Sequence, residues 1–239
     1  MSFRLIVNAD DFGLTRGVNA GIVDAHLRGI VTATTLMAHG AAFDHAVELS
    51  RAHPSLDVGV HLVLWDEAAL PQRLPWFVMR AMKMSTAEIT RLFSEQIAHV
   101  KSVGIAPSHV DTHKHTHTLP HVTRAMLAAA RAHGIAWVRR PLFRPGWRPP
   151  NGMRATDHFA GLDLTGKMTR TSLADRLTRL RPGLTELMCH PGFNDADLGA
   201  SPTRLTASRS AEIDALTAPE IRELLASKGL SVVNYRNIS

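Results

Sequence analysis

Compact apolar runs alternate along the chain with stretches whose apolar residues recur every three or four positions. Residues 3–8 form a short apolar run of the kind that makes a buried strand. Residues 18–28 then place Val18, Ile22, Val23 and Ala25 near one helical face, and Gly29 supplies a C-terminal stop. Residues 32–37 are β-branched and strand-like, residues 43–52 are helical up to Pro54, and residues 56–64 predict a third strand. Residues 65–85, with two prolines and two tryptophans, predict irregular structure. A long amphipathic helix follows over 86–103, with Ser85 or Thr86 as N-cap. Further strands are predicted at 108–111, 135–139, 184–189 and 230–235, and helices at 120–133, 172–180 and 219–227. Residues 141–167, rich in Pro, Gly and Arg, and residues 194–208 are predicted loops.

Strand followed by helix, repeated about seven times, is the pattern of an α/β protein with a mostly parallel sheet. At this length the expected architecture is a TIM-barrel-like (β/α) barrel of about seven strands, the alternative being an open doubly wound sheet. No linker, low-complexity tract or repeat divides the chain, so residues 1–239 are expected to form one domain. In either architecture, residues that do chemistry belong where strands end and loops begin.

Composition and charge narrow this picture. A hydrophobic fraction of 45% with 20% charged residues excludes disorder as the main state. No apolar run approaches the ~18 residues of a membrane span. The start lacks a basic segment followed by a long apolar one, so no secretory signal is expected. The single cysteine, Cys189, excludes an intrachain disulfide and suits a reducing cytoplasm. The net charge of +6 is mild and spread along the chain, so nucleic acid is not an expected partner. Fourteen histidines direct attention to metal or proton chemistry.

The chemistry does gather at strand ends. The first predicted strand runs into Asn8-Ala9-Asp10-Asp11-Phe12-Gly13. Adjacent residues on an extended chain point apart, so the two carboxylates can hold different roles; a helix cap and turn is the plainer alternative. His61 ends the third strand, either as a ligand or as a hydrogen-bonded core histidine. The fourth runs into Asp111-Thr112-His113-Lys114-His115-Thr116-His117, where an extended chain would put Asp111, His113, His115 and His117 on one side. Such a row is costly without a cation or polar network, and histidines outside the ligand set are left to orient a ligand or touch substrate. His190 follows the strand at 184–189, as a general acid or a structural histidine. Cys189 beside it should face the other way and reads as a small buried hydrophobe. Together Asp10, Asp11, His61, His113 and His190 supply one Asp and two His for a metal, plus an Asp/His pair for proton transfer. That is the equipment of metal-assisted hydrolysis.

These motifs, with Gly59-Val60-His61 and Cys189-His190-Pro191 and in the same order from residue 3 to about 236, resemble the YdjC-like carbohydrate deacetylases. That family includes chitooligosaccharide and hopanoid-biosynthesis deacetylases. The resemblance implies a deformed (β/α) barrel that hydrolyses the N-acetyl group of an amino sugar, on an oligosaccharide or a glycolipid, and releases acetate. It implies Asp11, His61 and His113 as metal ligands and Asp10 as base. His190 is placed as the acid by similarity to related polysaccharide deacetylases. It also implies one divalent ion, usually described as magnesium, although two imidazoles and one carboxylate suit zinc, cobalt or manganese better. A homodimer is expected from the family and from the frequency of symmetric dimers. His115, His117, Arg140 and Trp147 are candidate substrate-binding residues. The loop carrying Arg139, Arg140, Arg144, Trp147 and Arg148 would meet an anionic or lipid-linked sugar, unless it is a solvated surface. Trp65 and Trp147 are candidates for stacking on a sugar ring, unless they only pack. The segment between Leu64 and Thr86 is shorter than in typical chitooligosaccharide enzymes, so the substrate groove is expected to differ. The rival readings are a metal-dependent phosphoesterase and a catalytically silent sugar- or metal-binding homologue.

Overall fold

The computed structural model describes residues 3–64, 74–144 and 146–238. Strands are β1 (Phe3–Phe12), β2 (Ala33–Leu36), β3 (Asp57–Leu62), β4 (His109–Thr112), β5 (Trp137–Val138), β6 (His158–Ala160), β7 (Gly183–Cys189) and β8 (Leu230–Val232). Helices are α1 (Arg16–Leu27), α2 (Phe43–Ala52), α3 (Leu74–Lys83), α4 (Thr86–Ser102), α5 (Pro120–Ala132), α6 (Arg170–Thr178), α7 (Ala196–Ala200), α8 (Ala207–Thr217) and α9 (Pro219–Ser227). Seven strands pair in the order β5-β4-β3-β2-β1-β7-β6, and β8 pairs with the first residues of β1. Every pairing is parallel, and the sheet curls into a half-barrel wrapped by helices, the deformed α/β barrel expected. Between β5 and β6 the described residues form one isolated bridge, Trp137 to Arg154.

The period-2 alternation of the strands divides the interior in two. Leu5, Val7 and Ala9 of β1, Val58, Val60 and Leu62 of β3, and Leu187 of β7 join the main core beneath the helices. The intervening residues face the barrel axis. At the strand N-terminal ends these are apolar: Ile6, Ala33 and Leu184 pack with Trp137, Tyr235 and Ile238. One or two pleats further on they are polar and still buried: Asn8, Asp10, His61, His109, Asp111 and Glu186. The barrel axis therefore runs from dry to charged toward the strand C-terminal ends. Gly59 makes room for this polar layer: a Cβ there would lie 2.5 Å from the carbonyl oxygen of His109 and 2.6 Å from its ring. The His109 ring stacks on Tyr235 and its Nε2 lies 2.9 Å from Asn8 Oδ1.

Several expectations are corrected. Strand β1 continues through Asp10 and Asp11 to Phe12. The segment read as irregular contains α3, and the two segments read as loops contain β6 and α7. Helix α8 follows where no element was expected. Ser85 is the N-cap of α4, in a capping box with Glu88. The largest correction concerns residues 113–118. They form a 3-10 turn, with Lys114 and His115 at φ 54° and 52°, and not an extended run. The four side chains from Asp111 to His117 therefore do not share one side.

Candidate metal centre and active site

Strand β1 delivers Asp10 and Asp11 to the same pocket, which a regular strand would not do. Its register against β2 slips between Ala9 and Phe12, a bulge, and Asp11 takes a left-handed backbone with φ 69°. Aspartate tolerates that conformation better than most residues. The slip turns the Asp11 carboxylate from the helical layer back toward the barrel mouth.

There, three donor atoms meet. Asp11 Oδ1 lies 3.1 Å from His113 Nδ1 and 3.4 Å from His61 Nε2, and the two ring nitrogens are 3.0 Å apart. The three residues form a group able to hold a metal ion. The other ring nitrogen of His61, Nδ1, sits 2.6 Å from Asp111 Oδ1, with Thr35 Oγ1 3.2 Å from both residues. A carboxylate on Nδ1 leaves the Nε2 lone pair aimed at the shared point, the usual support behind a histidine ligand. Arg209, fully buried on α8, donates from Nη2 to Asp11 Oδ2 at 2.6 Å. That engages one carboxylate oxygen and leaves Oδ1 facing the imidazoles. Burial opposes a charged His61, yet Asp111 and Asp11 hold its imidazole well above the usual range. Burial likewise opposes a charged Asp11, but Arg209 and the two histidines keep its carboxyl well below the usual range. Buried carboxylates that draw positive charge onto imidazoles favour a cation in its place. One oxygen and two nitrogens converging in this way fit a divalent ion.

Asp10 is held differently. Its two oxygens accept from Arg139 Nη2 and Nη1, each at 2.7 Å, and Oδ1 also accepts from Asn8 Nδ2 at 2.9 Å. Burial alone would raise its pKa, but the Arg139 guanidinium keeps the carboxyl well below the usual range. Arg139 also reaches Asp111 Oδ2 and Glu186 Oε1, each at 2.7 Å. The loop expectation for Arg139 is thus corrected: it is buried on the barrel axis. Asp10, His61 and Asp111 also form a group with metal-ligand spacing, but the guanidinium already occupies it.

His190 closes the pocket from the end of β7. Its backbone N–H donates to Glu212 Oε2 at 2.6 Å, and its Nδ1 is buried without a hydrogen-bond partner among the described residues. Burial pulls the imidazole down to about 4. Burial raises Glu212, on α8, to about 7. Gly21 of α1 presses on the turn after His190: a Cβ there would lie 2.5 Å from Gly192 Cα.

Asp10, Asp11, His61, His113, His115 and His190 line one cleft of about 490 Å³, with Leu162, Thr165, Thr203, Arg204 and Leu205 on its far wall. His117 does not line it. Its ring is buried, with Nδ1 2.6 Å from Thr112 Oγ1 and Nε2 3.2 Å from the Arg140 carbonyl oxygen. Trp147 packs half-buried against the main core, and Trp65 lies outside the described residues. Arg140 lines a neighbouring cleft. Arg209 and Glu212 carried no sequence signal, since α8 itself was not anticipated. Glu186 and Asp111 carried one: each occupies an inward position of the alternating pattern.

Comparison with known proteins bears on the fold and the family. A protein of Enterococcus faecalis provisionally named a cellobiose-phosphate cleavage protein superposes with a TM-score of 0.87 at 26% identity, covering 99% of this chain and 98% of that one. A family 4 acetyl xylan esterase from Clostridium thermocellum, solved with cobalt, gives 0.52 at 13% identity, covering 96% and 87%. A peptidoglycan N-acetylglucosamine deacetylase gives 0.58 at 13% identity, covering 97% and 86%. These two share the fold. Among the described residues no helix is long and apolar enough to cross a membrane. The sequence profile of the YdjC-like proteins matches residues 4–227, so that the motifs at the strand ends and the barrel that gathers them place the chain in the YdjC-like protein family.

Proposed function

We propose that the protein is a metal-dependent hydrolase that removes an acetyl group from the nitrogen of an amino sugar and releases acetate. The observation that carries this reading is the convergence of Asp11, His61 and His113 on one point, with Asp10 and His190 lining the same cleft. Membership in the YdjC-like family supports it, as do neighbours named as carbohydrate deacetylases and esterases. A divalent ion on these three residues would supply Lewis acidity, acidifying water and polarising an amide carbonyl. The two imidazoles favour zinc, cobalt or manganese over the magnesium that the family resemblance suggests.

The chain's own groups handle the protons. Asp10, kept ionised and oriented by Arg139, takes the proton from the attacking water. His190 protonates the departing amine nitrogen. The environment of His190 favours a second reading of this pair: a ring drawn down to about 4 starts neutral near pH 7 and is equipped to accept a proton first. In that reading His190 takes the water proton and returns it to the amine, while the Asp10 carboxylate steadies the imidazolium. A two-metal phosphoesterase is disfavoured, because the second carboxylate group is filled by Arg139.

The test is acetate release by the metal-loaded protein from N-acetylglucosamine, acetylated chitobiose-type sugars and acetylated glycolipids, across several divalent ions. Release that depends on added metal and is lost in Asp10→Asn supports the reading. No release from any of them overturns it, and release only from O-acetylated sugars moves the activity to ester hydrolysis. Turnover that is lowered but retained in Asp10→Asn, with complete loss in His190→Ala, selects the second proton path.

A further inference from the structure

From Asp10 a line of hydrogen bonds leads away from the cleft, toward the N-terminal ends of the strands. Asn8 Nδ2 lies 2.9 Å from Asp10 Oδ1, Asn8 Oδ1 lies 2.9 Å from His109 Nε2, and His109 Nδ1 lies 2.8 Å from Ser108 Oγ. Asn8 and His109 are buried, and Ser108, just before β4, is half-buried. Neither Asn8 nor His109 lines the catalytic cleft. The charge at one end decides where each hydrogen sits. Arg139 keeps Asp10 ionised, and a carboxylate only accepts, so the Asn8 amide must turn its nitrogen toward it. The Asn8 oxygen then faces His109, whose Nε2 must carry the ring proton. Burial pulls His109 down to about 4, so the ring holds a single proton near pH 7. With that proton on Nε2, Nδ1 accepts from the Ser108 hydroxyl. All three bonds therefore point one way, from Ser108 to Asp10. At the end of the line the two oxygens of Asp10 become unequal. Oδ1 accepts from both Asn8 and Arg139, whereas among the described residues Oδ2 accepts from Arg139 alone. Both lone-pair directions of Oδ1 are engaged, and one on Oδ2 stays open.

We propose that Ser108, His109 and Asn8 form a positioning relay that holds Asp10 by Oδ1 and so assigns Oδ2 as the oxygen that takes the proton of the attacking water. Asn8 and His109 act through Asp10. The second half of that statement rests on Asp10 as base in the deacetylase reading; the order of hydrogens does not, and the experiment reads the two separately. Proton–nitrogen correlation NMR of the zinc-loaded full chain, labelled at histidine, locates the ring proton at pH 7, with the spectrum of His109→Gln identifying the signal. His109 should be protonated at Nε2 and bare at Nδ1. A ring protonated at Nδ1, or at both nitrogens, overturns the relay whatever the enzyme does.

Kinetics of acetate release from acetylated chitobiose, with zinc affinity by calorimetry, read the second half. His109→Phe keeps a flat ring against Tyr235 and removes both nitrogens. Its kcat should fall about 10–100-fold, the usual weight of a hydrogen bond to a charged group, with KM within about twofold and zinc affinity unchanged. His109→Gln, whose amide nitrogen reaches about as far as Nε2, should recover most of that loss. Asn8→Ala should match His109→Phe, and the double variant should cost little more than either alone, because both cut one line. A kcat near the native value in His109→Phe overturns the relay. So does a loss of kcat with an equal loss of zinc affinity, or with no recovery in His109→Gln, the mark of a merely structural role. Where His109→Phe fails to fold, Asn8→Ala and the ring-proton position decide the matter. If the native protein releases no acetate from any sugar, the deacetylase reading falls, and Nε2 protonation alone upholds the order of the line.

Discussion

Replacing Arg139 with methionine keeps a long side chain but withdraws a guanidinium from three buried carboxylates. Asp10, Asp111 and Glu186 each lie 2.7 Å from it, and all are at least 97% buried. Removing one partner of a buried ion pair costs about 3–5 kcal/mol, because a desolvated charge is left behind. Against a total stability of about 5–15 kcal/mol, that is a large share. The loss should depend on pH with a definite sign. In the native protein the folded pKa of Asp10 is depressed, so its contribution is present above the unfolded value near ~3.9 and disappears only in strong acid. In the variant, burial is opposed only by the neighbouring His61 and His190 and lifts that pKa above the unfolded value, so stability falls as pH rises through the interval between them. One carboxyl contributes at most about 1.4 kcal/mol per pH unit to this slope. The difference between the two proteins should therefore shrink by about 1–3 kcal/mol on going from pH 7 to pH 5. Urea unfolding followed by circular dichroism at both pH values measures it, and acid sensitivity common to both proteins cancels. A destabilisation below about 1 kcal/mol at pH 7, the size of an exposed pair, would refute the reasoning, as would the same loss at both pH values.

Three other outcomes are expected. Burial pulls His109 and His117 down to about 4, so both stay neutral in the fold while the unfolded chain protonates below about 6.5. Stability should then fall as pH drops from about 6.5 toward 4, by up to about 1.4 kcal/mol per pH unit for each; a urea midpoint that is flat across this range contradicts the assignment. Arg209→Met should free the Asp11 carboxylate to rotate and lower divalent-metal affinity by about 10–100-fold, measured by calorimetry; unchanged affinity would remove Arg209 from the support of the site. Gly21→Ala drives a methyl group into the backbone of Gly192 and Phe193, so a loss of about 1–3 kcal/mol is expected in thermal or urea unfolding, with displacement of His190. A neutral effect would mean that the turn yields freely.

Local patterning was enough to place the strand ends, and with them Asp10, Asp11, His61, His113 and His190. Period-2 burial is a property of a few consecutive residues, and a polar residue at the end of an apolar strand announces itself. The class of fold followed for the same reason. What the pattern could not contain is which way a residue turns once the strand departs from regularity. The bulge at Asp11 and the turn at Lys114 and His115 decide that Asp11 and His113 meet while His117 is buried elsewhere. Nor does local periodicity identify partners far away in sequence. Arg139 reads as the edge of a basic loop until register brings it to Asp10, 129 residues away, and Arg209 reaches Asp11 across 198 residues. The sequence by itself determined an α/β chain with aspartates and histidines at its strand ends. Only the tertiary structure decided which of them face one another and which cations balance them, because buried charges are settled by neighbours that strand pairing and helix docking bring together.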